Sequence, residues 1–292
     1  MSSLAITADD RALCDEQSNE IDFPALDAMH LLGNYQRELP VNIKRMMENA
    51  HDWEHLPFVH PSSFAAIEKV SAGKWGWRTK VALPETGEQQ LLQLLVDNQR
   101  NYWATTVLSG TGKGMHIHTQ ATANSAQAIN IDVRFYVEEP FEDDSANAMV
   151  LAHMQGLYTR LYDEDQELME GRQAALDYRE TPPTDNGTEF VLGDIDELKN
   201  DLPKLFDLDG QRFCLNLWQG NWIVYSATCP HLLGPLGGSE IGENGLITCP
   251  WHGYRFDIVT GQNVDGYCGA LAKKPALIER GKELFASVEV PA

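Results

Sequence analysis

Between residues 74 and 137 apolar, aromatic and β-branched residues recur in short runs separated by Gly, Asn and Asp. KWGWRTKVAL (74–83), QLLQLLV (90–96), YWATTVL (102–108), GMHIHTQATA (114–123) and AINIDVRFYV (128–137) each read as a β-strand. A helical pattern over 41–56 precedes them and a longer one, roughly 147–178, follows. On that second helix Val150, Met154, Leu157, Leu161 and Leu168 fall on one stripe at about 100° per residue, which predicts a buried face. An antiparallel sheet wrapped against one long helix is the economical packing for this order. RETPPTDNGTEF (179–190) breaks the pattern with Pro-Pro and Asn-Gly, the composition of a linker. Beyond it come short strands and Gly-rich turns, an all-β pattern. Residues 1–20 show no apolar periodicity and read as a flexible, solvated tail.

Composition excludes several classes. The chain has 292 residues, 43% of them hydrophobic, enough for two domains with cores of their own. A formal charge of -21 argues against nucleic acid, whose phosphates it would repel. No run of about 18 apolar residues exists, so no membrane span is expected, and the amino terminus lacks the basic and apolar regions of a secretory signal. Five cysteines at uneven spacing point to a reducing cytoplasm rather than a disulfide framework.

The first concentrated chemistry is ENAHDWEHLPFVH (48–60), which supports three readings. His51-x-x-Glu54-His55 fits the inverted zinc-peptidase pattern, with Glu54 as the base. Glu48-x3-Asp52-x2-His55-x4-His60 instead pairs His55 with His60 and suits a non-haem iron. The plain reading is a polar helix face with no metal. Glu48, Asp52 and His55 would share one face of a helix, whereas Pro57 disrupts it, so His60 is expected to return from a loop or distorted turn.

The second half carries a more specific signal. Cys229-x-His231-x17-Cys249-x2-His252 gives two loops, each with one thiolate and one imidazole. That is the ligand set of a Rieske [2Fe–2S] cluster, with both histidines on one iron. A structural zinc held by two Cys and two His uses the same residue types, but it leaves the Gly-rich loops and the Trp-His-Gly-Tyr run unexplained. High-potential Rieske proteins add a third cysteine to each loop. Here those positions hold Gly234 and Trp251, which places the cluster toward the lower part of the roughly -150 to +300 mV Rieske range. Cys214 and Cys268 lie outside the ligand pattern and read as small packing residues.

A low-potential electron donor has no use beside a zinc peptidase and an obvious one beside a mononuclear iron. The chain resembles the Rieske non-haem iron oxygenases, the terminal components of aromatic-ring-hydroxylating and demethylating systems. Their catalytic domains carry the acid-x3-Asp-x2-His-x4-His pattern that Glu48, Asp52, His55 and His60 match. Two imidazoles and one carboxylate make the facial triad that leaves positions open for O₂. LYDEDQELMEGRQ (161–173) offers Asp163, Glu164 and Asp165 for the carboxylate. Asp165 lies within the apolar stripe, Glu164 at its edge and Asp163 far from it. A carboxylate on an apolar face needs a partner, and a metal supplies one. The resemblance agrees, because Asp165, Glu170 and Gln173 reproduce a spacing of its demethylating members. Asp165 is therefore the expected third ligand and Glu164 the next choice. The resemblance makes Asp52 not a ligand but a hydrogen-bonded bridge from His252 to His55, the electron route.

The resemblance implies an α+β chain: a helix-grip (START-like) antiparallel sheet with a long C-terminal helix, then an all-β Rieske domain. The expected division is a tail over 1–20, a mononuclear-iron domain over 21–180, a linker over 181–187 and the Rieske domain over 188–292. This inverts the family's usual domain order. The implied cofactors are a [2Fe–2S] cluster and mononuclear Fe(II), with O₂ as cosubstrate and a small organic molecule as substrate. No G-x-G-x-x-G fingerprint opens a strand–helix unit, so a separate NAD(P)H-dependent reductase is expected, with or without a ferredoxin between them. The family forms head-to-tail trimers, so a homo-oligomer is implied. A linker this short spans at most ~30 Å, which permits electron transfer within or between subunits. The rival reading is a Rieske ferredoxin-like protein fused to a helix-grip ligand-binding domain without catalytic iron. His116 and His118 read as pocket lining or surface, His30 and His153 as structural, and Trp75, Trp77, Tyr102 and Trp103 as candidate walls of a substrate cavity.

Overall fold

A computed structural model of the chain describes residues 4–141, 143–180, 187–267 and 269–288. The chain divides into two compact units, Met1–Glu170 and Gly171–Ala292. That division falls inside a long helix that continues to Glu180. Residues 181–186, most of the expected linker, and Cys268 lie outside the described residues.

The first unit is built on seven antiparallel strands: β1 (His30–Leu39), β2 (Ala66–Gly73), β3 (Gly76–Ala82), β4 (Gln89–Asp97), β5 (Tyr102–Ser109), β6 (His116–Ala123) and β7 (Ile129–Val137). Their order across the sheet is β1-β7-β6-β5-β4-β3-β2. Strand β7 explains its own orientation. Ile129, Ile131, Val133 and Phe135 are fully buried while Asn130 and Arg134 are exposed, the period-two pattern of a half-buried strand. The five expected strands are all present. β1 and β2 were not expected, since HLLGNYQREL and AIEKVSAG mix polar and small residues as edge strands do.

Two helices, α2 (Ile43–His51) and α3 (Leu56–Val59), connect β1 to β2, and α4 (Asp144–Glu180) follows β7. Gly33 of β1 lets α4 come close, since a Cβ there would lie 2.6 Å from a methyl of Leu151. This sheet gripping a long helix is the helix-grip arrangement. On α4 the buried residues are Met154, Tyr162, Asp165, Leu168 and Met169. Val150, Leu157 and Leu161 of the expected stripe are only partly buried, and Tyr162 and Met169 take the inner places.

The expected solvated tail is instead ordered structure. Thr7 caps helix α1 (Ala8–Asp15) through a reciprocal capping box with Asp10. Cys14 packs with Leu91 and Leu108. Lys80 donates to Asp10 (2.8 Å) and to the Ala5 carbonyl (3.2 Å), while Arg78 donates to the carbonyls of Gln17 and Ser18. Arg78 and Lys80 alternate along β3 with Trp77 and Thr79, so this amino-terminal segment covers the sheet face opposite α4. Of the charged residues that made the segment look solvated, Asp10 anchors it through Lys80, and backbone carbonyls take the remaining bonds.

The second unit is all-β after α4. Strands β9 (Lys204–Leu208), β10 (Gln211–Trp218) and β11 (Asn221–Ser226) form one sheet; β8 (Glu189–Asp194), β14 (Ala276–Arg280) and β15 (Glu283–Ser287) form another. Leu192, Phe206, Leu208, Phe213, Leu215, Val224 and Leu284 fill the space between them. A small hairpin of β12 (Leu246–Thr248) and β13 (Arg255–Asp257) carries a loop at its tip. Among the described residues no helix is long and apolar enough to cross a membrane.

Candidate metal centres

In the first unit the histidine-rich stretch does not form one helix. α2 ends at His51, because Asp52 (ψ 88°) has left the helical region. The chain turns and re-enters a single helical turn, α3, with His55 at its N-cap and His60 at its C-cap. Pro57 sits in the first turn of α3, where its missing N–H costs nothing. The expected common face of Glu48, Asp52 and His55 is thereby lost, and the two histidines instead flank a short helix with ring centroids 5.2 Å apart.

Both rings turn toward α4. His60 Nε2 lies 3.0 Å from Asp165 Oδ1, and His55 Nε2 lies 3.3 Å from the same oxygen. All three residues are buried, at 1%, 3% and 8% exposure for His60, His55 and Asp165. Their three candidate ligand atoms lie within 4.8 Å of one another. The neighbouring acids have other partners. Glu164 Oε2 lies 2.7 Å from His60 Nδ1, and Asp163 pairs with Arg37 at the surface (2.6 Å). Glu48 pairs closely with Arg45. Asp52 Oδ2 approaches His55 Nδ1 at 3.6 Å, longer than a hydrogen bond. His51 lies beside Asn98 (3.3 Å), and among the described residues neither His51 nor Glu54 joins a ligand group, so the peptidase set is not assembled.

The donor set fits a divalent cation. Both ring nitrogens of His55 are buried without a hydrogen-bond partner of proper geometry, a state that costs free energy unless something else binds there. Adjacent ligands about 2.1 Å from an octahedral ion sit roughly 3.0 Å apart, close to the separations found. Electrostatics agree. Burial alone would push the His55 imidazole down, yet the carboxylates of Asp165 and Asp52 outweigh it and lift His55 to about 10. Burial would raise Asp165, and His60 and His55 outweigh that and hold it far below the usual carboxylate range. Groups that attract a proton this strongly attract a metal ion in competition with it.

A cavity of about 120 Å³ adjoins these residues. Trp77, Trp103, Leu92, Leu94, Phe64 and Tyr158 are among its walls. Trp77 and Trp103 are thus where a cavity wall was expected. Trp75 lies instead against Arg78, and Tyr102 on the opposite sheet face contacts Phe23 and His118. His118 Nδ1 lies 2.9 Å from the Tyr102 hydroxyl and its ring stacks on His116, and burial pushes it down to about 4. His30 and His153, read as structural, are exposed. Phe64 and Tyr158 carried no sequence signal of a pocket role.

In the second unit the four expected cluster residues converge. Cys229 and His231 follow β11, and Cys249 and His252 lie on the β12–β13 loop. Each loop closes on itself in the same way. Leu233 donates to the Cys229 carbonyl (3.1 Å) and Gly253 to that of Cys249 (2.9 Å), with φ of 65° and 69° at the two donors. Both thiols are buried, and the two imidazoles cross at 4.5 Å and 89°. Contact with Cys229, then His252 and the amides of Trp251 and His252, prevails over burial and pushes Cys249 down to about 5. Gly234 completes the cradle: a Cβ there would stand 2.7 Å from Cys249 Sγ and 3.2 Å from the Trp251 ring. Two buried sulfurs, two facing imidazoles and that clearance fit a [2Fe–2S] cluster. Cys214 is buried in the core, as its packing role required.

Comparison with known proteins agrees on this unit. Residues 188–273 match the Rieske [2Fe-2S] domain. The chain is 29% identical over 110 residues to the chloroplastic pheophorbide a oxygenase of Arabidopsis thaliana, covering 34% of this chain and 18% of that protein. It is 25% identical over 97 residues to the ferredoxin component of the alkene monooxygenase system of Xanthobacter autotrophicus, covering 33% of this chain and 80% of that protein. A START superfamily protein from Mycobacterium smegmatis aligns with 12% identity and a TM-score of 0.39, over 47% of this chain and 97% of that one. The chain thus spans less than a fifth of the length of the pheophorbide a oxygenase it matches. It combines a helix-grip domain with a carboxy-terminal Rieske electron-transfer domain.

Proposed function

We propose that the protein is the terminal component of an oxygenase system, hydroxylating or dealkylating a small organic substrate. One observation carries this reading: His55, His60 and Asp165 bring their ligand atoms together, buried, beside an apolar cavity in a chain that also has a Rieske domain. A 2-His-1-carboxylate set leaves coordination positions open, as non-haem iron oxygenases need. When bound, the cluster would supply electrons singly and the mononuclear Fe(II) would activate O₂.

The chain's own residues do the positioning. Glu164 accepts from His60 Nδ1 and so aims Nε2 at Asp165, the carboxylate–histidine pairing that orients metal-bound imidazoles. Asp52 stands on the Nδ1 side of His55, and we assign it the bridging role in electron delivery. Trp77 is fixed by its Nε1 donating to the Ala50 carbonyl (3.0 Å), which makes one cavity wall rigid. The apolar lining keeps water away and admits small, largely uncharged molecules. A separate NAD(P)H-dependent reductase would deliver the electrons, directly or through a ferredoxin.

Metal analysis tests the proposal. After anaerobic reconstitution the protein should hold about three irons and two acid-labile sulfides per chain. Two irons with no third restored by Fe(II) would select the electron-transfer protein with a ligand-binding domain.

A further inference from the structure

His231 is only half-buried, but its ring is not simply open to water. Tyr254 stands 4.9 Å away at 70° and Tyr267 stands 5.5 Å away at 76°, with the two tyrosine rings 5.0 Å apart. Edge-to-face contacts at these distances are favourable, so His231 sits in an aromatic corner. Tyr254 comes from the ligand loop itself, two residues after His252. Tyr267 is brought from further along the chain, and local hydrogen bonds bring it.

Asn263 is the hub of that arrangement. Its Oδ1 accepts from the amides of Asp265 (2.8 Å) and Tyr267 (2.9 Å), and its Nδ2 donates to the Arg255 carbonyl (3.0 Å). Asp265 in turn accepts from the Arg255 amide (2.7 Å) and from its Nε (2.9 Å). The Val264 amide adds a bond to the same Arg255 carbonyl (3.1 Å). Residues 263–267 are thus latched to the first residue of β13, the strand that leaves the second ligand loop. Plain loop stability would require the latch, but would not require an aromatic ring at its end laid on a cluster ligand.

We propose that residues 263–267 form a lid on the histidine side of the cluster, and that Tyr267 lowers the reduction potential by excluding water from His231. The inference rests on the Rieske cluster and not on the mononuclear site. With two thiolates and two neutral imidazoles, the oxidised cluster is neutral overall and the reduced cluster carries one negative charge. Water stabilises the charged form more than the neutral one, and solvent exposure is among the determinants of cluster potential. A lid that keeps the site dry therefore favours the oxidised state.

The test is spectroelectrochemical titration of the full chain with its cluster, checked by visible circular dichroism and by EPR of the reduced state. Tyr267→Ala should shift the midpoint upward, and Tyr267→Phe, which keeps the ring, should stay near wild type. Asn263→Ala releases the latch with both tyrosines in place and should shift the midpoint upward as well. That variant decides the matter if Tyr267→Ala fails to hold its cluster. An unchanged midpoint in Tyr267→Ala, or in Asn263→Ala where that variant decides, would overturn the lid. An equal shift in Tyr267→Phe would do so too, since the hydroxyl rather than the covering ring would then be responsible.

Discussion

Glu164 and Asp165, adjacent on α4, address opposite nitrogens of one histidine. Glu164 lies 2.7 Å from His60 Nδ1 and Asp165 lies 3.0 Å from His60 Nε2. Consecutive helical residues diverge by about 100°, so His60 is held across the angle between them. This arrangement gives the two acids different expected phenotypes.

Asp165→Ala should lose the mononuclear iron and any oxygenation while leaving the Rieske absorption and EPR signals intact. Glu164→Ala keeps all three ligand atoms and frees only the ring's orientation. Its Fe(II) affinity should fall by about 10–100-fold, the usual cost of losing such a partner. Titration with Fe(II) under anaerobic conditions separates the two. Equal loss of iron in both would mean that Glu164 ligates.

Cys249→Ser should remove the cluster and spare the mononuclear site. Gly234→Ala asks a sharper question, because it alters no ligand. A methyl 2.7 Å from the Cys249 sulfur has no room unless the sulfur moves. That variant should lose most of its acid-labile sulfide at normal expression and folding. Full cluster content in it would show that the cradle yields more readily than its geometry implies.

The Lys80–Asp10 pair tests whether the amino-terminal segment is part of the fold. Its side chains are about 10% and 13% exposed, so it lies between the surface and buried extremes. Lys80→Met should cost about 2 kcal/mol, or roughly 30-fold faster amide exchange across β3 and β4. Burial would raise the Asp10 carboxyl, and Lys80 and Thr7 outweigh it and lower it. A depressed carboxylate stabilises the fold above its ordinary value of 3.8, and that contribution disappears as pH falls through the lowered one. Exchange in wild type and Lys80→Met should therefore converge in acid. Exchange unchanged by Lys80→Met at neutral pH would return the segment to the status of a tail.

The legible parts of the chain were those with short-range signals. Period-two runs marked β3 to β7, and fixed loop spacing marked Cys229, His231, Cys249 and His252. Asp165 could be chosen over Asp163 and Glu164 because it alone interrupts an apolar stripe. Relationships formed across the fold were not legible. The segment over 4–20 looks solvated until Asp10 meets Lys80 and two of its carbonyls meet Arg78 of β3. The break after His51 depends on Pro57 opening a new helix, although the same proline could as well end an old one. Tyr267 is brought to His231 with the help of Asn263 and Asp265, whose side chains follow no periodicity.

Asp52 remains the residue on which the proposed electron path turns. It closes the C-terminus of α2, its amide donating to the Asn49 carbonyl (3.0 Å), and its carboxylate stands 3.6 Å from His55 Nδ1. Asn has nearly the same shape and leaves that backbone bond in place, so Asp52→Asn removes the charge and little else. If Asp52 only supports His55, the variant should lose iron, because the imidazole would lose its orientation. If Asp52 bridges electron delivery, iron and sulfide should stay near wild type and the cluster should still reduce chemically. Oxidation of the prereduced cluster, on adding O₂ and a substrate that the wild type turns over, should then slow by about 100-fold, the upper end of such effects. The measurement is a single-turnover stopped-flow trace at the Rieske absorption band. A wild-type rate in a fully loaded variant would remove Asp52 from the path.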